Sequence, residues 1–150
     1  MSYFSIRTKE QDTINQILDQ VSVISIPGIT WLFDKIKKDD IIFIVLSGDD
    51  SKKNISYTNG LKAIAQVTDK TVDEYRDNAK TKIKSYSIQL DIIIHLPKVI
   101  TKKELYFYPD LLDCPNIGPE TKGSPNQALG NIENGTSVLA AVNDLLPGVL

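Results

Sequence analysis

The chain carries one histidine, His95, one cysteine, Cys114, and one tryptophan, Trp31, and these three bound the chemistry open to it. Zinc coordination or Cys–His catalysis needs partners at set spacing, and neither His95 nor Cys114 has a neighbour of that kind along the sequence. No GxxxxGKS/T phosphate loop, GxGxxG, HExxH or GxSxG string occurs, so the standard catalytic signatures are absent. The expectation is a binding module and not an enzyme, with no cofactor and no metal. His95 follows an apolar run and reads as a strand-end histidine whose ring is hydrogen-bonded. Cys114, between Asp113 and Pro115, reads as loop or core filler.

Trp31 is more informative. On a helix it stands about 200° from Ile29, off the stripe made by Ile29, Leu32, Phe33 and Ile36. Either the loop-rich tail covers that second side, or Trp31 lines a pocket in which a flat ring can stack. Lys35 lies one turn later on the same side, within reach of a phosphate or of water. Tyr57 and Asn59 stand just before the string LKAIAQV, near the mouth of any barrel, where loops carry binding residues; their other role is a turn around Gly60. Tyr106, Phe107 and Tyr108 precede Pro109, and an extended segment would turn at least one of these rings outward. Basic residues gather at Lys52 and Lys53, at Lys80, Lys82 and Lys84, and at Lys98, Lys102, Lys103 and Lys122. Each cluster reads as solvated surface, or together they form a patch that meets a nucleic-acid backbone.

The elements that must position these residues follow from periodicity. Tyr3 to Arg7 is a short strand, and Thr8 with Gln11 has capping-box spacing. Ile14, Ile17, Leu18 and Val21 then share one helical face. SVISIPG is a brief extended segment, and Ile29 to Ile36 predicts a second short helix. IIFIVL is a continuous β-branched run suited to a buried central strand, and LKAIAQV and YSIQLDI alternate as half-buried strands. Val72 to Lys84 is charged and ambiguous. Beyond Pro97 the recurring Pro and Gly forbid long elements, and two short helices, one capped at Ser124, are expected to close the chain over an exposed sheet face.

The 150 residues, 41% hydrophobic, suit one domain with a proper core. The formal charge of −2 excludes a protein that coats phosphates through its overall field, so any nucleic-acid binding must be local. A lone cysteine and the lack of a leader or apolar span lead us to expect a cytoplasmic protein with no membrane partner. The abrupt end on LLPGVL is compatible with a domain cut from a longer chain.

The strings YFSIR, SVISIPG, LFDKIKKDDIIFIVLSG, NGLKAIAQVT and YSIQLDI, in that order, resemble the EVE branch of the PUA-like fold, a relative of the YTH methyl-base readers. The resemblance spans Tyr3 to Ile94. It implies an α+β fold with a curved mixed β-sheet or small barrel flanked by short helices. It also implies a pocket for a flipped, often methylated, base, as in the N-terminal specificity domain of McrB-like restriction proteins, where separate motor and nuclease partners supply the chemistry. Arg7, Thr8 and Ser25 match strand-end and post-helix positions that line the pocket in the family, Ser47 ends the central strand beside it, and Trp31 or, instead, Tyr57 would supply a ring, with Asn59 near the same mouth. Ile24 stands where YTH readers have a cage tryptophan. Lys35, Lys52, Lys53, Lys80, Lys82, Lys84 and Lys122 would meet the nucleic-acid backbone. The expected ligand is double-stranded DNA with a modified base. The rivals are a PUA-like RNA-binding module and a protein-interaction domain.

Overall fold

In the computed structural model, which describes residues 1–29, 32–48, 57–76, 82–121 and 128–150, the elements run β1 (Tyr3–Thr8), α1 (Gln11–Leu18), β2 (Val23–Pro27), β3 (Ile41–Leu46), β4 (Gly60–Arg76), β5 (Lys82–Ile100), β6 (Ala128–Ile132) and α2 (Gly135–Leu145). The string IIFIVL forms β3, and all six of its residues are buried. Side chains on a strand alternate, so a strand buried throughout needs a layer on each face of its sheet. Ile42, Ile44 and Leu46 point to one core with Ile14 and Ile17 of α1. Phe43 and Val45 point to the other with Val138, Ala141 and Val142 of α2 and with Leu105, Leu111 and Ile117 of the tail. Each fully buried Ile or Leu contributes about 1.5–3 kcal/mol of transfer free energy, and the two layers together fix where β3 lies.

The strands form one mixed sheet in the order β2-β5-β4-β3-β1-β6, which gives the expected α+β class. β1 runs parallel to β3, and the other neighbours are antiparallel. Among the described residues β2 pairs with β5 and β6 with β1, so the edges stay open and the sheet does not close into a barrel. Parallel pairing requires a crossover, here the passage through α1 and β2, and it brings the carboxyl ends of β1 and β3 to the same edge. Thr8 stands beside Leu46, and the Ser47 amide donates to the Thr8 carbonyl at 3.0 Å.

Asp40 ties down the opposite end of β3. Its buried carboxylate accepts from the Ser2 and Lys37 amides, each at 2.8 Å, which satisfies a group that would otherwise be costly to bury. Nearby, the Lys70 ammonium lies 4.7 Å from the centre of the Phe33 ring and donates to the Phe33 carbonyl at 3.0 Å.

Several expectations are corrected. The helix expected from Ile29 to Ile36 is only a turn in its described part, because Leu32 adopts φ +63, outside right-handed helical space. The charged stretch from Val72 is sheet: β4 and β5 continue to Arg76 and Lys82 as a two-stranded ribbon. α1 starts at Gln11 without a side-chain cap, and the Thr8 hydroxyl accepts from the Glu10 amide at 3.2 Å. The segment from Tyr106 to Tyr108 is not extended; it lies in and after the 3₁₀ turn Glu104–Phe107. Of the two closing helices α2 forms, preceded by β6; the start expected for the other, at Ser124, lies outside the described residues. Among the described residues no helix is long and apolar enough to cross a membrane.

Candidate nucleic-acid interface

At the shared carboxyl ends of β1 and β3 the sheet opens into a cleft of about 550 Å³ lined by Arg7, Lys9, Ser47, Asn59, Gly60 and Lys102, with Val45 and Leu46 at the strand end. This volume is within the range of about 300–1,000 Å³ for small-ligand sites. Among the described lining residues three are cationic and none is acidic. On a chain of net charge −2 that is a local reversal of sign.

Each side of the cleft has a local cause. Arg7 is in register with Val45 and follows it to the α2 side of the sheet, while Thr8, next along the strand, turns to the other side. The Tyr57 hydroxyl donates to the Ser47 carbonyl at 2.7 Å, and Asn59 Nδ2 donates to the Gly48 carbonyl at 3.3 Å. These two bonds hold the chain leaving β3 against the chain entering β4.

Lys102 arrives through an irregularity in the ladder. Leu61 pairs with Ile100 but Ala63 pairs with His95, so Leu96 to Val99 oppose Lys62 alone. Pro97, which cannot donate to a ladder, lies in this bulge, and the Lys62 ammonium donates to the Leu96 carbonyl. Gly60 sits where the strands close again; its φ is +143, and a Cβ there would lie 2.3 Å from the Ile100 carbonyl oxygen. The turned chain lays Lys102 over the cleft, where its ammonium donates to the Thr121 hydroxyl at 2.9 Å.

Burial lowers the pKa of Lys102, and the positive charge of Arg7 lowers it further. Burial likewise lowers that of Arg7, which is 9% exposed. Desolvated cations held near one another gain more from an arriving anion than the same groups in water. Chemically, the cleft can bind and orient an anionic group beside the polar side chains of Ser47 and Asn59.

Five residues named from the sequence thus meet at one end of the sheet: Arg7, Ser47 and Asn59 line the cleft, and Thr8 and Tyr57 brace its wall. Ser25 is elsewhere. It is exposed on edge strand β2, paired with Gln89, whose Nε2 lies 3.3 Å from its hydroxyl, and β5 and β4 separate it from β3. Lys82 and Lys84 lie on the β4–β5 ribbon with Glu74, at 3.6 and 3.7 Å from its carboxylate. Glu74 pairs with Lys84 and Leu61 with Ile100, so at about 3.3 Å per residue these lysines lie up to about 40 Å from the cleft. Lys35 is exposed on the turn beside Phe33, also outside the cleft lining. Trp31, Lys52, Lys53, Lys80 and Lys122 lie outside the described residues.

Lys9 and Lys102 were not singled out for the site by sequence reasoning. Lys9 directly follows the strand-end pair Arg7-Thr8, a signal that was present. Lys102 belonged to a basic cluster, but only the bulge, which has no simple sequence signature, brings it to β1. His95 Nε2 lies 2.9 Å from the Val21 carbonyl and therefore carries the ring proton of that bond. Cys114 is buried in the α2-side core.

The crystal structure of protein PSPTO5229 from Pseudomonas syringae is similar in fold, with a TM-score of 0.61 and 12% identity over 96% of this chain and 99% of that chain. At that identity the likeness is one of fold. No protein-family model matches the chain, and no curated protein matches it.

Proposed function

We propose that the chain is a non-enzymatic nucleic-acid-binding module that reads a modified base in double-stranded DNA, in the manner of a specificity domain working beside a separate motor and nuclease. The observation that carries this reading is the cleft that brings Arg7, Lys9 and Lys102 together in its lining. Three cations gathered in one cleft suit a phosphodiester, and Ser47 and Asn59 in the same lining suit the nucleotide attached to it. Sequence resemblance to EVE domains supplies the modified base as the expected ligand.

Extruding a base costs a few kcal/mol of lost stacking and pairing, which contacts to the flipped nucleotide must offset. In this account Lys9 and Lys102 hold the flanking phosphate, while Ser47 and Asn59 offer hydrogen-bonding groups to the base edge or sugar. Selectivity for a methyl group rests on packing and is modest, of the order of 1–3 kcal/mol per buried methylene-sized group.

Anisotropy titrations with plain, 5-methylcytosine and N6-methyladenine duplexes and with single-stranded RNA test the proposal. Tighter binding to one modified duplex than to its plain counterpart and to RNA is the expected result. Preference for RNA, or equal binding to all duplexes, would overturn the modified-DNA reading. A 2-aminopurine placed at the target position should brighten on binding if the base leaves the stack.

A further inference from the structure

Phe107 is 85% exposed and Tyr106 59%, and two consecutive rings in solvent form an apolar patch that calls for a partner. Both lie in the 3₁₀ turn Glu104–Phe107, whose buried residue is Leu105; anchoring Leu105 inward leaves the two rings outward. Beside Phe107 a groove of about 360 Å³ runs to α2, lined by Phe107, Tyr108, Pro109, Ala140, Asp110 and Asp144 among others. None of its described lining residues is cationic.

The Tyr108 hydroxyl donates to the Asp144 carboxylate. That bond, with lesser contributions from burial and from the charges of Asp144 and Glu104, raises the Tyr108 pKa, so the phenol stays a neutral donor and orients the carboxylate at the groove. One wall is therefore aromatic, the floor is small and apolar, and the rim carries two acids. Phosphate is repelled by such a rim, which sets this face apart from the cationic cleft and from any nucleic acid held there.

We propose that this groove docks a protein segment in which an arginine stands between apolar residues. A planar guanidinium can stack on the Phe107 ring and direct its forked donors to Asp144, whereas an ammonium gains less from both contacts. The flanking apolar side chains cover Pro109 and Ala140. Charge complementarity identifies the occupant, and the inference stands independently of the nucleic-acid reading of the cleft.

The test is an amide chemical-shift titration of the whole chain with acetyl-Gly-Leu-Arg-Leu-Gly-amide at millimolar concentration, against the same peptide with glutamate in place of arginine. The expected result is shifts confined to residues 105–111 and 137–144 with the arginine peptide, weakened at least tenfold by Asp144→Asn and abolished by Phe107→Ala. Because Phe107 is exposed, the remaining spectrum of that variant should be unchanged, which separates lost binding from lost fold. No shifts, equal shifts with the glutamate peptide, or retained binding in Phe107→Ala would overturn the proposal. Broadening of the groove resonances with protein concentration alone would assign the face to a second copy of the chain and would overturn it equally.

Discussion

The Tyr57 hydroxyl donates to the Ser47 carbonyl at 2.7 Å, so the two segments that bound the cationic cleft, one leaving β3 and one entering β4, are fastened to each other. Tyr57→Phe removes the donor and keeps the ring. A half-buried hydrogen bond of this kind contributes about 1 kcal/mol, and the variant should lose about that much in chemical denaturation. Its affinity for nucleic acid should fall with it, since Ser47 and Asn59 are then less firmly placed. Unchanged denaturation and unchanged affinity would mean that the bond does not organise the cleft.

Gly60 closes the ladder beside the cleft at φ +143, with the Ile100 carbonyl oxygen 2.3 Å from where a Cβ would lie. Gly60→Ala should destabilise by more than about 1 kcal/mol, because the new side chain meets both an unfavourable backbone angle and fixed backbone atoms. Thermal unfolding measures this directly. A variant as stable as the parent would show that the bulge around Pro97 can slide to make room.

Ile44 is fully buried on the α1 side of the central strand. Ile44→Ala should cost about 2–5 kcal/mol in urea unfolding. A loss below about 1 kcal/mol would argue against β3 as the centre of the sheet.

The Cys114 thiol is buried, and burial, with a smaller push from Asp113, raises its pKa from 9.0 to about 11. A raised folded-state pKa favours the native state while the thiol is protonated in both states. The contribution is therefore complete below about pH 9, where the unfolded thiol begins to ionise, and is lost as pH rises towards 11. Cys114→Ser or Cys114→Ala variants should lack this alkaline component of the stability profile. At pH 8 the native thiol should react with iodoacetamide far more slowly than the urea-unfolded chain; equal rates would place Cys114 at the surface.

What the sequence made legible has a common physical origin. The string IIFIVL is apolar throughout because both faces of β3 are covered, and Ile14 and Ile17 repeat at helical spacing because one face of α1 is. The far ends of β4 and β5 carry no such pattern. Asp73, Glu74, Lys82 and Lys84 are all exposed, so no alternation of apolar residues betrays the strands. β6 holds Gly130 in its middle, where a Cβ would lie 2.6 Å from Pro115 Cβ, and an unpatterned run of this kind does not mark a strand. The turn at Leu32 was hidden by an apolar spacing that fits a helix, while the backbone angle that ends it leaves no mark on that spacing.

The placement of residues around the cleft was legible in part. Arg7, Thr8, Ser47, Tyr57 and Asn59 lie at strand ends or just beyond them, where sequence position alone indicates a mouth. Lys102 is brought in by a ladder irregularity, and Lys82 and Lys84 are carried away by strands longer than expected. Charge clusters read along the chain therefore mixed two ends of one ribbon.

The most direct measurement is the affinity of the Lys9→Ala, Lys102→Ala double variant for the preferred duplex, set beside that of Lys82→Ala, Lys84→Ala, across a salt series. If the cleft holds the backbone, the first variant should bind at least about tenfold more weakly, with a salt slope shallower by about 2, and the second should match the parent chain. Loss of binding in the ribbon variant, with the cleft variant unaffected, would contradict the account.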